Sequence, residues 1–255
     1  MELNYKEFGQ GEPVIILHGL FGTLDNWQTI AKQLAEEYSV FIIDQRNHGR
    51  SPHADVHDYC HMAEDLREFM ESHWIYNAHI IGHSMGGKTA MQFALEHSGM
   101  VNKLVVVDIS PKAYRGTHSG IFDALMSLHP EKIKDRKEAD ELLSQKIGNA
   151  AVRQFLLKNL SRRKNGGYEF KMNLPVLYEQ YGNILEAVQG EPFTNPALFI
   201  RGGNSNHMVP GDEVLIKELF PEAVIETIEG TGHWVHAEKP AELLGLVRDF
   251  LTGDK

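Results

Sequence analysis

Apolar and polar positions follow two rhythms along this chain. Short, β-branched apolar runs recur at 14–17 (VIIL), 40–44 (VFIID), 79–82 (HIIG), 104–108 (LVVVD), 197–201 (ALFIR) and 223–228 (AVIETI). Such runs, apolar almost throughout, suit strands covered on both faces, as in a parallel sheet sheathed by helices. Amphipathic stretches lie between them, around 25–37, 60–73, 85–97 and 240–252. Strand followed by helix is the signature of right-handed βαβ connections. The pattern predicts an α/β protein with a mostly parallel twisted sheet and helices on both faces. Residues 2–8 are expected to add an antiparallel edge strand.

The alternation stops from about 111 to 192. Helical patterns appear there at 121–128, 139–147, 152–160 and 174–188, with Asn165-Gly166-Gly167 as an interrupting loop. A stretch of about 80 residues without a core strand is too long for a βα connection. It is read as a helical lid, 111–192, inserted into a core made of 1–110 and 193–255. A separate small domain is the weaker reading, because the segment has few large apolar residues for a core of its own.

The strand at 79–82 runs into Gly82-His83-Ser84-Met85-Gly86, and a helical stretch opens at Met85. This is G-x-S-x-G between strand and helix, where a sharp turn presents the serine hydroxyl and only glycine fits the flanking positions. Ser84 is therefore the candidate nucleophile, standing at the positive end of the next helix. Acyl transfer also needs two backbone N–H groups aimed at the oxygen that becomes negative. Met85 supplies one. The turn after the first core strand, His18-Gly19-Leu20-Phe21-Gly22, supplies the other, with Leu20 preferred and Phe21 second.

A serine hydroxyl needs a base. His233, in Gly230-Thr231-Gly232-His233-Trp234 after the last strand, is the candidate; His236 is the alternative, but it lies close to the closing helix. In this chain order the acid falls between serine and histidine, commonly after the strand preceding the histidine's strand. Gly202-Gly203-Asn204-Ser205-Asn206-His207 stands there with no carboxylate, and Asp212 lies beyond Pro210. Asp108, at the end of the strand predicted beside the nucleophile's, is taken as the acid; a turn cap leading into Ser110-Pro111 is its plainer role. Phe21 and Trp234, with Phe122, Leu125 and Leu156 of the lid, are candidates for an acyl pocket.

Composition narrows the picture. A chain of 255 residues, 42% hydrophobic and 24% charged, fits one large domain. Net charge −10 argues against nucleic acid as a partner. The charge is uneven: 112–190 carries 13 Lys/Arg against 9 Asp/Glu, leaving 12 against 26 elsewhere. A positive cover over an acidic body would draw anionic leaving groups such as CoA. Cys60 is the single cysteine, so no internal disulfide forms. No apolar run is long enough to span a membrane, and no secretory leader is read at the start. Cytoplasmic residence as a monomer or homodimer, without membrane contact, is expected. His53, His57 and His61 share helical spacing but lack the glutamate of a metalloprotease motif, and no metal site is assigned. Asp44-Gln45-Arg46-Asn47-His48-Gly49 is read as a structural loop near the site.

With these residues in place, the chain resembles the α/β-hydrolase superfamily over nearly its whole length. It looks closest to small bacterial carboxylesterases and acyl-CoA thioesterases, through HGLFG at 18–22, DQRNHGRS at 44–51, GHSMGG at 82–87, VVVDISP at 105–111 and GHWVHAEKP at 232–240. The resemblance implies hydrolysis of a small-molecule ester or thioester by a Ser-His-Asp triad without a cofactor. It also implies that the acid comes from the VDISP segment. Serine at position 84 argues against dehalogenases and epoxide hydrolases of this fold, which place aspartate there. Carbon–carbon bond hydrolysis, perhydrolysis and a non-catalytic binding role remain the other readings.

Overall fold

Unbroken apolar runs make strands with two dry faces, and the computed structural model stacks them so. It describes residues 1–116 and 118–253; Thr117, inside the predicted lid, and Asp254 and Lys255, at the end of the predicted core, lie outside the described residues. In chain order the first half comprises β1 (Tyr5–Phe8), β2 (Pro13–Leu17), α1 (Gln28–Leu34), β3 (Ser39–Ile43), α2 (Tyr59–Ser72), β4 (Ala78–His83), α3 (Met85–Glu96) and β5 (Val101–Val107). The segment after it holds α4 (Ser119–Met126), α5 (Arg136–Ser144), α6 (Ala150–Leu157), β6 (Leu160–Arg162), β7 (Tyr168–Phe170), α7 (Leu174–Glu179) and α8 (Tyr181–Leu185). The chain closes with β8 (Ala197–Gly202), α9 (Asp212–Leu219), β9 (Ala223–Ile228), α10 (Val235–Glu238) and α11 (Pro240–Thr252).

The main sheet has seven strands in the order β1-β3-β2-β4-β5-β8-β9. Its pairs are parallel except β1 with β3, which is the antiparallel edge. Alternate residues of each central strand feed opposite cores. Ile15, Leu17, Ile80, Leu104, Val106 and Phe199 pack against α2 and α3. Val14, Ile16, Ile81, Val105, Val107 and Ile200 pack against α1 and α11. Two-sided burial is what lets the strands read as continuous apolar runs. The helices are bounded by local chemistry. The Asp58 carboxylate accepts the His61 N–H at 2.8 Å to cap α2, and α11 opens on Pro240 and ends at Gly253 with φ 84°.

The segment between β5 and β8 differs in detail from the sequence reading. The stretch 174–188 splits at Gln180 into two short helices. Asn165-Gly166-Gly167 turns a small hairpin between β6 and β7, with Gly166 and Gly167 both at positive φ. Strands of three residues are too short to show an alternation, which is why the hairpin left no signal. Phe122, Leu125, Leu143, Leu156 and Leu177 form a third apolar cluster, completed by Phe21 from the loop after β2.

The junction of β4 and α3 is set by backbone contact. A Cβ at Gly86 would lie 2.5 Å from the carbonyl oxygens of both Leu17 and His18. A Cβ at Gly82 would lie 2.2 Å from the Gly86 carbonyl. Because backbone atoms in a central sheet cannot yield, Gly86→Ala is expected to destabilise by about 3 kcal/mol. At roughly 3 °C per kcal/mol in a chain of this size, the melting midpoint followed by circular dichroism falls by about 9 °C. An unchanged midpoint would contradict this packing.

Candidate active site

The tight junction forces Ser84 to φ 53° and ψ −119°, a conformation that non-glycine residues adopt only where their surroundings impose it. Here the imposing bonds are Ser84 N–H to the Val107 carbonyl at 3.1 Å and Lys88 N–H to the Ser84 carbonyl at 3.0 Å. The hydroxyl thus leaves the sheet at the start of α3.

His233 arrives from the loop after β9. That loop is pinned by the Thr231 hydroxyl on the Ile228 carbonyl at 2.7 Å and by the Gly232 N–H on Glu238 at 2.9 Å. The His83 ring meets the His233 carbonyl at 2.8 Å. His233 Nε2 then lies 3.0 Å from Ser84 Oγ, and its Nδ1 lies 2.8 Å from Asp108 Oδ2. Asp108 sits just past β5, fully buried, with φ 51°. Val107 pairs with Ile200 across to β8, so the Asp108 carboxylate meets the loop that lacks an acid. The Gly202 N–H donates to Oδ1 at 2.9 Å and the Ser205 hydroxyl to Oδ2 at 2.5 Å. Burial pushes the Asp108 carboxyl above the ordinary range, and these two donors pull it back. Burial, helped by the neighbouring His207, His118 and His236, holds His233 well below the usual histidine range, so the resting ring is a neutral base.

The other candidates lie elsewhere. His236 stacks on Trp27 with centroids 4.8 Å apart and an interplanar angle of 14°. Asp212 binds the Lys112 ammonium through both oxygens at 2.7 Å. His61 bonds Asp58 at 2.8 Å, and His53 reaches the Lys171 carbonyl at 3.3 Å. Among the described residues the one cluster with metal-ligand spacing is Asp108, His207 and His233. Its two imidazoles stack face to face, 3.6 Å and 18° apart, so their in-plane lone pairs run side by side and do not converge on an ion.

The turn after β2 is held from behind. Gly22 N–H bonds the Gly19 carbonyl at 2.9 Å, and Phe21 takes φ 60°. The Phe21 N–H is engaged by His48 Nε2 at 3.3 Å, and His48 Nδ1 lies 3.0 Å from the Arg46 carbonyl. The Gln45 N–H meets His18 Nε2 at 3.1 Å, while the Gln45 amide donates to the His18 carbonyl at 2.6 Å. Burial lowers the pKa of His18 to about 4 and of His48 to about 3, so both rings serve as neutral hydrogen-bonding spacers. From the covering segment, the buried Asn159 amide donates to the Phe21 carbonyl at 2.7 Å. The N–H groups of Leu20 and Met85 take part in none of these bonds.

Two cavities meet at Ser84, and Leu20 and His118 also line both. One is a slot of about 40 Å³ bordered by Phe21, Ile121, Phe155, Leu156 and Trp234. The other, about 520 Å³, extends past Met85 to Lys88, Tyr114, Arg115 and Tyr181. Phe21, Trp234 and Leu156 border the slot. Phe122 and Leu125 do not: both are core residues of the covering segment, Phe122 packing edge-on to Phe21 with centroids 5.0 Å apart. An amphipathic helix offers the same apolar stripe to a core as to a pocket, so periodicity alone does not separate the two. Sequence reasoning missed His207, Ser205 and Asn159, whose roles come from contacts between distant segments, and it placed His48 in a structural loop without its bond to the Phe21 N–H.

Comparison with known proteins agrees with this architecture. The family profile described as alpha/beta hydrolase fold matches residues 12–240. The chain is 38% identical over 241 residues to esterase YbfF of Escherichia coli, covering 94% of this chain and 93% of that one. It is 40% identical over 248 residues to the sn-1-specific diacylglycerol lipase ABHD11 of Mus musculus, covering 94% and 80%. Among solved structures, a marine microorganism esterase superposes with a TM-score of 0.96 at 46% identity, covering 98% of this chain and 99% of that one.

Proposed function

The chain belongs to the α/β-hydrolase fold family and is an ester-hydrolysing enzyme, and we propose that it acts through an acyl-enzyme on Ser84 with His233 as base and Asp108 as acid. The observation that carries this reading is the unbroken relay from Ser84 Oγ through His233 to the buried Asp108, at 3.0 and 2.8 Å.

The steps follow from the geometry. His233 Nε2 takes the hydroxyl proton as Ser84 Oγ attacks the acyl carbon. Asp108 holds the ring in the tautomer with its proton on Nδ1 and stabilises the imidazolium that forms. Negative charge on the former carbonyl oxygen is met by the N–H groups of Leu20 and Met85, each such donor contributing about 3 kcal/mol to the transition state. Phe21, whose N–H is occupied by His48, shapes the turn and does not donate. The imidazolium then protonates the departing alcohol or thiol, and water, deprotonated by the same ring, releases the acid. The narrow slot beside Phe21 and Trp234 suits the smaller end of the ester, and the larger cavity accommodates the other end. Ester and thioester carbonyls present the same carbon to Ser84, so both fall within the proposal. With Cys60 as its single cysteine, the chain needs no oxidising compartment, in keeping with work in the cytoplasm.

The test is intact mass after incubation with a fluorophosphonate. One adduct on the wild type and none on Ser84→Ala is expected. A folded wild type that stays unlabelled, or a labelled Ser84→Ala, would overturn the assignment.

A further inference from the structure

The larger cavity contains a buried ammonium that has no salt-bridge partner among the described residues. Lys88 stands one helical turn beyond Ser84 on α3 and is 1% exposed. Its ammonium donates to the backbone carbonyls of Lys112, at 2.7 Å, and Glu186. It sits 4.8 Å from the Tyr114 ring centroid and 5.5 Å from that of Tyr59. No carboxylate forms an ion pair with it among the described residues. An ammonium has three N–H donors, and two neutral carbonyls leave one of them unused. A buried cation in this position is normally paired.

The rest of the lining has the same sign. Lys112 and Arg115 border the cavity, and no acidic side chain does so among the described residues. Lys112 is already matched by Asp212, and Arg115 is exposed, with no ion pair among the described residues. Ile109, Ile184 and Leu185 add apolar lining. An ester bound at Ser84 therefore extends one of its two ends into a half-apolar, half-cationic chamber.

Resting on the Ser84 reading, we propose that this cavity is an anion subsite in which Lys88 pairs with a carboxylate carried by the substrate. The preferred substrates are then esters of a dicarboxylic acid, or esters whose alcohol bears a carboxylate. Helix geometry places the Lys88 and Ser84 Cα atoms about 6 Å apart, and both residues line this one cavity. Burial lowers the Lys88 pKa to about 7, with Glu186 opposing and Lys112 reinforcing the shift. The other titratable groups bordering it are Tyr59, Tyr114, Arg115, His118 and His207.

The experiment compares matched pairs: mono-p-nitrophenyl adipate against p-nitrophenyl hexanoate, and butanoyl glycolate against ethyl butanoate. The readout is the ratio of kcat/KM, charged over neutral, which cancels any titration of His233. In the wild type at pH 6 one of the pairs is expected to favour the charged ester about 30-fold. Which pair responds identifies the end that enters the cavity. Above pH 7 that ratio falls about tenfold per unit as Lys88 loses its proton. Lys88→Met brings the ratio close to one, and Lys88→Arg restores part of it. The wild-type pH profile decides the matter even if Lys88→Met does not fold. Ratios near one at every pH for both pairs, in an enzyme that still labels at Ser84 and cleaves the neutral esters, would overturn the subsite alone.

Discussion

Replacing His233 with alanine is expected to lower kcat on a p-nitrophenyl ester by roughly 10⁵-fold or more. The hydroxyl of Ser84 stays protonated near neutral pH unless a base accepts its proton, and the residual rate comes from the N–H groups of Leu20 and Met85 alone. The imidazoles around His233 are held by other partners, His83 Nε2 by the His233 backbone carbonyl at 2.8 Å. His207 lies flat on the His233 ring with its Nδ1 3.5 Å from Ser205 Oγ, and His236 is held against Trp27. Pre-steady-state and steady-state assays of the purified variant provide the measurement. A kcat within about 100-fold of the wild type would mean that another group serves as base.

Asp108→Asn is expected to cost about 10⁴-fold in kcat with little change in KM. The substitution keeps shape and burial, so the protein folds. The amide, however, turns an N–H toward the ring, favours the tautomer with its proton on Nε2, and removes the charge that stabilises the imidazolium. Ser205→Ala is the control. It removes one donor to Asp108 and leaves the 2.8 Å contact to His233 in place, so its loss stays within about tenfold. If Asp108→Asn lost no more than this control, the acid would have to come from another residue.

The parts of the site visible in the sequence are those where local backbone shape imposes a residue type. Gly82 and Gly86 are required by contacts under 3 Å, and His233 sits on a glycine-flanked loop. Asp108 carries a different signal: the usual acid position holds Gly202-Gly203-Asn204-Ser205, and the neighbouring strand ends in a carboxylate. The pairing of Val107 with Ile200 makes the two strand ends neighbours, so a carboxylate at the end of β5 comes within 2.8 Å of the His233 ring. His207 on His233, His48 behind Phe21 and the carboxyl donors from Gly202 and Ser205 join segments far apart in the chain. Such contacts leave neither a period nor a spacing to read. The central strands and most helices, by contrast, were legible to within a few residues because two-sided burial writes itself into unbroken apolar runs.

The contact from Asn159 to the Phe21 carbonyl alters what it would mean to exchange the covering segment for another. A transplanted segment chosen for apolar surface alone could still pack on Phe21, as this one does. Without an amide in register, it would leave that carbonyl dry and unbonded, a loss of about 1–3 kcal/mol. The loss would fall on the very turn that presents Leu20. A graft designed only for pocket shape would thus disturb the turn whose Leu20 N–H we propose faces the oxyanion, because Asn159 ties that turn to the segment being exchanged.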